Sequence, residues 1–218
     1  YLLLILNGIF ITLALVLVAF ISAKGYLAEG SNVLLLMGTG MLAFGITSLI
    51  AGVIRPLGAN QNVTVFNLGA MFAALLQGAC ALLTVSGTPS RALTSRKMKL
   101  ASSYGGAIMF TILVSIATLQ EIIPPFFIDG VGATPLRQAV LGASIFLFAL
   151  SSIFFARAYL KSKSNILFWY CLALALMAVG LSGVFLQRTV GGPIGWAGRI
   201  SQYLSGLYFI VAVRAAGR

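Results

Sequence analysis

Apolar residues fall into seven long stretches, at approximately 1–22, 33–54, 63–85, 100–119, 136–159, 165–187 and 198–214, separated by short segments in which Lys, Arg, Pro, Gly and Asn collect. Each is close to the ~20 residues that an α-helix needs to cross ~30 Å of hydrocarbon at ~1.5 Å per residue. None alternates polar with apolar side chains, and all are about twice the length of a barrel strand, so the pattern predicts helices. The end signals agree. Asn32 and Asn62 are candidate N-caps, Gly87 and Pro89 follow the third stretch, and Thr134-Pro135 reads as the cap and first residue of the fifth helix. The predicted fold class is all-α: a polytopic membrane protein forming one seven-helix bundle over residues 1–218. Tyr1 already lies in an apolar run, which predicts that an initiator segment is missing or cleaved. The stretch 1–22 lacks the basic leader and small-residue cleavage pattern of a signal peptide.

Composition strengthens this reading. The 218 residues are 60% hydrophobic and only 8% charged, with a mean hydropathy of +1.06, against roughly 25% charged residues in an average soluble domain. Fourteen Lys and Arg against three acids give a net charge of +11. With no polar surface on which to spread a nucleic-acid face, that charge belongs at membrane edges. Counting Lys and Arg between the stretches separates two sides. One holds ten cations (Lys24, Arg91, Arg96, Lys97, Lys99, Arg157, Lys161, Lys163, Arg214 and Arg218) with Glu29; the other holds four (Arg55, Arg137, Arg188 and Arg199) with Glu121 and Asp129. Cytoplasmic loops carry the excess, so the N-terminus is expected outside and the C-terminus in the cytoplasm, in a multi-pass protein of the cell inner membrane.

Several chemistries are excluded by residue type. There is no His, and Cys80 and Cys171 both lie in apolar runs, which removes disulfide frameworks, His-based acid/base catalysis, a zinc site and a His-ligated haem. No cofactor and no enzyme activity are expected. No ionisable residue lies near the centre of a stretch, which argues against proton pumping, and the last stretch has no central Lys to hold retinal. Gly38-Thr39-Gly40 resembles a dinucleotide loop only superficially, lacking a preceding strand. Asn62-Val63-Thr64 matches a glycosylation acceptor, but so near the membrane it reads as a helix cap. The segment 86–99 is long enough for a small amphipathic turn against anionic lipid headgroups.

Helices in lipid associate through small residues and interhelical hydrogen bonds. Ala70, Ala74 and Gly78 form one such stripe, Gly38, Gly45, Ser48 and Gly52 a second, and Ala178 with Ser182 a third. Asn67 and Gln77 lie ten residues apart, at different depths, and make one site only if Thr111, Ser115 or Tyr170 joins them.

The outer rim holds the candidate chemistry. Arg137 and Arg199 fall in the first turns of the fifth and seventh helices, where a cation meets the positive end of the helix dipole. One solution is bidentate pairing with Glu121 or Asp129. The other is a cup in which free helix N–H groups, Arg137, Arg199, Arg55 and Arg188 take a small anionic or amphipathic ligand, with Gln202 and Tyr203 continuing the face of Arg199 inward. Trp196 reads as an interfacial belt residue.

The segments Pro124-Pro125-Phe126-Phe127, Gly132-Ala133-Thr134-Pro135-Leu136-Arg137-Gln138, Phe168-Trp169-Tyr170-Cys171-Leu172-Ala173-Leu174 and Gly192-Pro193-Ile194-Gly195-Trp196-Ala197-Gly198-Arg199-Ile200-Ser201-Gln202-Tyr203 resemble the seven-helix N-terminal input regions of prokaryotic membrane sensors that precede PAS, histidine kinase or diguanylate cyclase modules. The resemblance implies an outside N-terminus, a cytoplasmic C-terminus, and a sensor that passes an extracytoplasmic or membrane-borne signal to a cytoplasmic output domain or partner protein. Residues 1–218 hold no such module, so the chain is expected to be either the sensor portion alone or a free-standing relative. The competing readings are a structural subunit of a larger membrane complex and a facilitator for a neutral solute. The latter needs a polar track or broken helices in matched halves, and the sequence has neither.

Overall fold

Residues 2–86, 95–187 and 192–216 are described by the computed structural model. Gly87, Pro89, Arg91, Arg188 and Arg218, named above, lie outside the described residues, as does most of the expected amphipathic turn in 86–99. Seven helices follow the seven apolar stretches. The first, α1, joins α-helix Leu2–Asn7, a π-helical turn Gly8–Leu13 and α-helix Ala14–Glu29. Then come α2 (Asn32–Ile54), continued by a 3-10 turn at Arg55–Leu57, α3 (Ala59–Ser86), α4 (Arg96–Leu119), α5 (Pro135–Ser162), α6 (Asn165–Leu186) and α7 (Pro193–Ala216). Among the described residues, all but α7 are long and apolar enough to cross a membrane by length and composition. The exception has a physical basis, because α7 carries Arg199, Ser201, Gln202, Tyr203 and Ser205 within two turns and sends most of them into the bundle.

Successive helices run antiparallel. A core drawing on α1, α2, α3, α5, α6 and α7 is centred on Leu15, Met41, Phe44, Phe148, Phe155, Tyr170 and Phe209. The helix α4 sits at the margin, packed on α2, α3 and α1, and Met109 and Leu113 on its other side are exposed.

Backbones approach closely between α6 and α7, and again between α7 and α1, where a Cβ on Gly206 would overlap the Phe10 carbonyl oxygen. A Cβ on Gly198 would lie 2.6 Å from the Gly180 carbonyl oxygen and 3.0 Å from Gly183 Cα, so only glycine permits this contact. Beside it, Ser201 and Ser205 donate across to the Leu176 and Ala173 carbonyls at 2.8 and 2.7 Å. The stripe on α3 is used for two of its three members. Ala70 and Ala74 are fully buried, whereas a Cβ at Gly78 would find its nearest neighbour, Leu147, 3.8 Å away.

Two expected caps prove to be something else. Ser31 is the N-cap of α2, and Asn32, already helical, accepts a hydrogen bond from Lys99 Nζ at 2.8 Å. Asn62 lies inside α3, which starts earlier than its apolar run, and donates to the Ala51 carbonyl at 2.6 Å. The Thr134-Pro135 start of α5 is as expected, with the Thr134 hydroxyl accepting from the Arg137 N–H. Arg96 finds a role that loop counting missed. Its Nη1 donates to the Leu27 and Ala28 carbonyls at 3.0 and 2.8 Å, placing a cation on the negative end of α1. Gly30 ends that helix at φ 76°, and a Cβ there would also meet the Arg96 guanidinium.

The segment between α4 and α5 contains a small antiparallel ladder, Phe127–Ile128 with Gly132–Ala133. Asn60 Oδ1 at the start of α3 accepts the backbone N–H groups of Phe126 and Phe127 at 2.8 and 3.1 Å. Phe126 is buried beneath the segment. These contacts hold the ladder over one end of the bundle.

Candidate functional site

At that end, where α1, α3, α5 and α7 begin and α2 and α6 finish, lies a cavity of about 100 Å³. Three arginines from three different elements line it: Arg55 after α2, Arg137 in the first turn of α5 and Arg199 in the first turn of α7. No Asp or Glu is among the described residues of its wall. Arg137 is 5% exposed. Its Nη2 donates to the Val184 carbonyl at 3.2 Å, and its Nε has no hydrogen-bond partner among the described residues. Arg199 is half-buried and lies near enough to Arg55 for the two like charges to oppose each other, and near the Tyr203 hydroxyl.

Among the described residues, the expected Arg–carboxylate pairing is not formed. Val184 lies in the last turn of α6, where carbonyls lack intrahelical partners and the helix dipole is negative. Arg137, placed unfavourably on its own helix, is thus compensated by the end of a neighbouring one. Glu121 instead takes the left-handed conformation (φ 56°) just beyond α4, its N–H bonded to the Thr118 carbonyl at 3.2 Å, and is exposed. Asp129 is exposed on the β-ladder turn. Neither acid reaches the cavity wall.

Gln202 and Tyr203 continue the face of Arg199 inward as expected, but they do not line the cavity. Gln202 is 1% exposed and packs against Gly180. Tyr203 donates to Asn7 Oδ1 at 2.9 Å, and Asn7 does line the cavity. Trp196 is exposed. Arg188 lies outside the described residues.

Other wall residues were not expected from the sequence. Asn7, Asn62, Asn67 and Gln187 supply amides, and Leu4, Val63, Phe66, Phe127 and Val184 supply apolar surface. Asn67 is 1% exposed and its Nδ2 has no partner among the described residues. The signal for Asn67 was present, since a polar residue interrupts an apolar run, but that signal is shared with Gln77. Gln77 lies deeper, where it accepts a hydrogen bond from the Tyr170 hydroxyl and donates to the Met37 carbonyl at 3.4 Å. The pair is enclosed by Phe155 and Phe209. Of the three partners considered for the two amides, Tyr170 is the one that reaches Gln77. Thr111 and Ser115 bond to carbonyls of their own helix. Asn67 and Gln77 therefore belong to separate environments.

Among the described residues, the site thus combines three arginines without an acid in the cavity wall, buried donors without acceptors, and an apolar wall, at the junction of the first and last helices. No curated protein and no solved structure matches the chain. A family model described as a membrane-associated sensor domain, MASE3, matches residues 2–217. With nearly the whole chain covered, this multi-pass helical protein belongs to the MASE3 family of membrane-associated sensor domains.

Proposed function

We propose that the chain is an input module that senses a small anion in the three-arginine cavity and passes the change along α7 to a cytoplasmic output domain or partner protein. The observation carrying this reading is the convergence of Arg55, Arg137 and Arg199 on a cavity with no acid in its described wall. Desolvated guanidinium groups need hydrogen-bond acceptors and countercharge. The Val184 carbonyl supplies Arg137 with one acceptor, and an anion supplies the rest. The ten-to-four distribution of cations favours an outside N-terminus, which puts the cavity at the extracytoplasmic face of the inner membrane. From there α7 runs from Arg199, at the cavity, to Arg214 at the more basic end, so a ligand touching Arg199 acts on the helix nearest the output.

The test is the melting temperature of the protein in nanodiscs of zwitterionic lipid. At constant ionic strength and pH, replacing chloride by carboxylate or phosphate salts raises it. A melting temperature unmoved by all of these salts overturns the reading.

A further inference from the structure

A cleft opens at the opposite, more basic end of the bundle, between the start of α6 and the last turns of α7. Asn165, Trp169, Val211, Arg214 and Ala215 line it, and its volume is about 390 Å³. At the density with which a cavity of ~150 Å³ takes up benzene, that is room for about fifteen non-hydrogen atoms. From its chemistry and the side of the bundle it faces, we infer that it holds the headgroup of an anionic phospholipid from the leaflet at that end, with the phosphate at Arg214 and an acyl chain laid along α7.

The direction of the cleft follows from α7. Ile200, Leu204, Leu207 and Val211 are between 39% and 54% exposed and recur every three or four residues, so they form one apolar stripe on the outside of the bundle. Arg214 is the next position on that stripe and is exposed as well. Phe209, Ala212 and Val213, between these positions, are buried. An outward apolar stripe on a membrane helix faces acyl chains, and a cation that ends it stands at the level where those chains meet their phosphates.

Charge selects the headgroup. No Asp or Glu is among the described residues of the cleft wall. Glu29, the one acid on this side, lines a different cleft with Ile166 and Val213. A second cation stands at the end of a row of rings that leads to the cleft. Tyr159 meets Phe168 with centroids 5.3 Å apart, Phe168 meets Trp169 at 5.2 Å, and the Lys163 ammonium lies 5.6 Å from the Tyr159 ring. A zwitterionic headgroup brings its own ammonium among these cations. The headgroup of phosphatidylglycerol brings a phosphate alone, to which a guanidinium donates paired hydrogen bonds. A soluble phosphate meets Arg214 but leaves Trp169 and Val211 uncovered. Because Arg214 lies in the last turn of α7, a lipid held there bears on the same helix as the outer cavity, at its other end.

Trp169 and Trp196 are the two tryptophans of the chain, so Trp196→Phe leaves Trp169 as a reporter in the cleft. The test is quenching of its fluorescence in phosphatidylcholine vesicles, at fixed ionic strength, by a small mole fraction of brominated-chain phosphatidylglycerol or brominated-chain phosphatidylcholine. Phosphatidylglycerol is expected to be preferred roughly fivefold, the weight of one cation close to an anionic lipid surface. Arg214→Gln abolishes most of that preference, whereas Lys97→Gln, an exposed position on α4 at the same end, keeps it. Equal quenching by the two lipids overturns the inference. So does a preference that Arg214→Gln leaves intact, or that Lys97→Gln reduces as far, because the attraction is then spread over the whole basic face. None of these outcomes bears on the anion reading of the outer cavity.

Discussion

Tyr203 on the last helix donates a 2.9 Å hydrogen bond to Asn7 on the first, and Asn7 lines the cavity that Arg199, one turn before Tyr203, also lines. The bond is buried at both ends. It sits where α1 passes from α-helix Leu2–Asn7 into its π-helical turn Gly8–Leu13, an irregularity often found at functional positions. Phe10, in that turn, packs its ring against Tyr203 with centroids 5.5 Å apart. A ligand in the cavity therefore acts on α7 by two routes, directly at Arg199 and through Asn7 at Tyr203.

Tyr203→Phe separates these routes. The ring and its packing on Phe10 are kept while the hydroxyl is lost, leaving Asn7 Oδ1 without this donor. The expected cost is about 1–2 kcal/mol of stability, measured by thermal unfolding in detergent. Stabilisation by a bound anion persists, because the three arginines are untouched. Loss of anion stabilisation in this variant would mean that Asn7 positioning is part of binding rather than of transmission.

Ala74 lies fully buried on α3, a helix that packs on both α2 and α5. Ala74→Leu adds three carbons where no space exists and is expected to destabilise the bundle by about 1–3 kcal/mol. An unchanged melting temperature would contradict the packing of α3 between its two neighbours.

Orientation is open to chemical labelling. Ser95, at the start of α4, and Gly192, just before α7, lie at opposite ends of the bundle. With the more basic end in the cytoplasm, a Cys replacing Ser95 reacts with a membrane-impermeant thiol reagent only in inverted vesicles. A Cys replacing Gly192 reacts only in intact cells. The reverse pattern would place the cavity in the cytoplasm.

The helices were legible because their cause is local: a run of apolar residues matching the thickness of hydrocarbon needs no knowledge of its neighbours. The arginine cluster was partly legible for a similar reason, since Arg137 and Arg199 follow helix starts and the four arginines of that side outnumber its two acids. Its compensation was not, because Arg137 uses the Val184 backbone carbonyl, and a carbonyl leaves no mark in side-chain sequence. The same limit hid Arg96 on the carbonyls of Leu27 and Ala28. Asn67 and Gln77 look alike in sequence, yet one ends at a cavity and the other under Tyr170; which neighbour each meets is set by the helices packed around α3. Neither the π-helical turn nor the two-residue ladder near Phe127 has a period long enough to read.

The central claim is that Arg55, Arg137 and Arg199 together hold an anion. Its most direct measurement is anion-dependent thermal stabilisation of four proteins in zwitterionic nanodiscs: wild type, Arg137→Ala, Arg199→Ala, and Arg157→Ala near the opposite end of α5. Wild type and Arg157→Ala are expected to gain the same stabilisation from a carboxylate salt, at least several-fold more than either Arg137→Ala or Arg199→Ala. Equal stabilisation of all four proteins would contradict the claim.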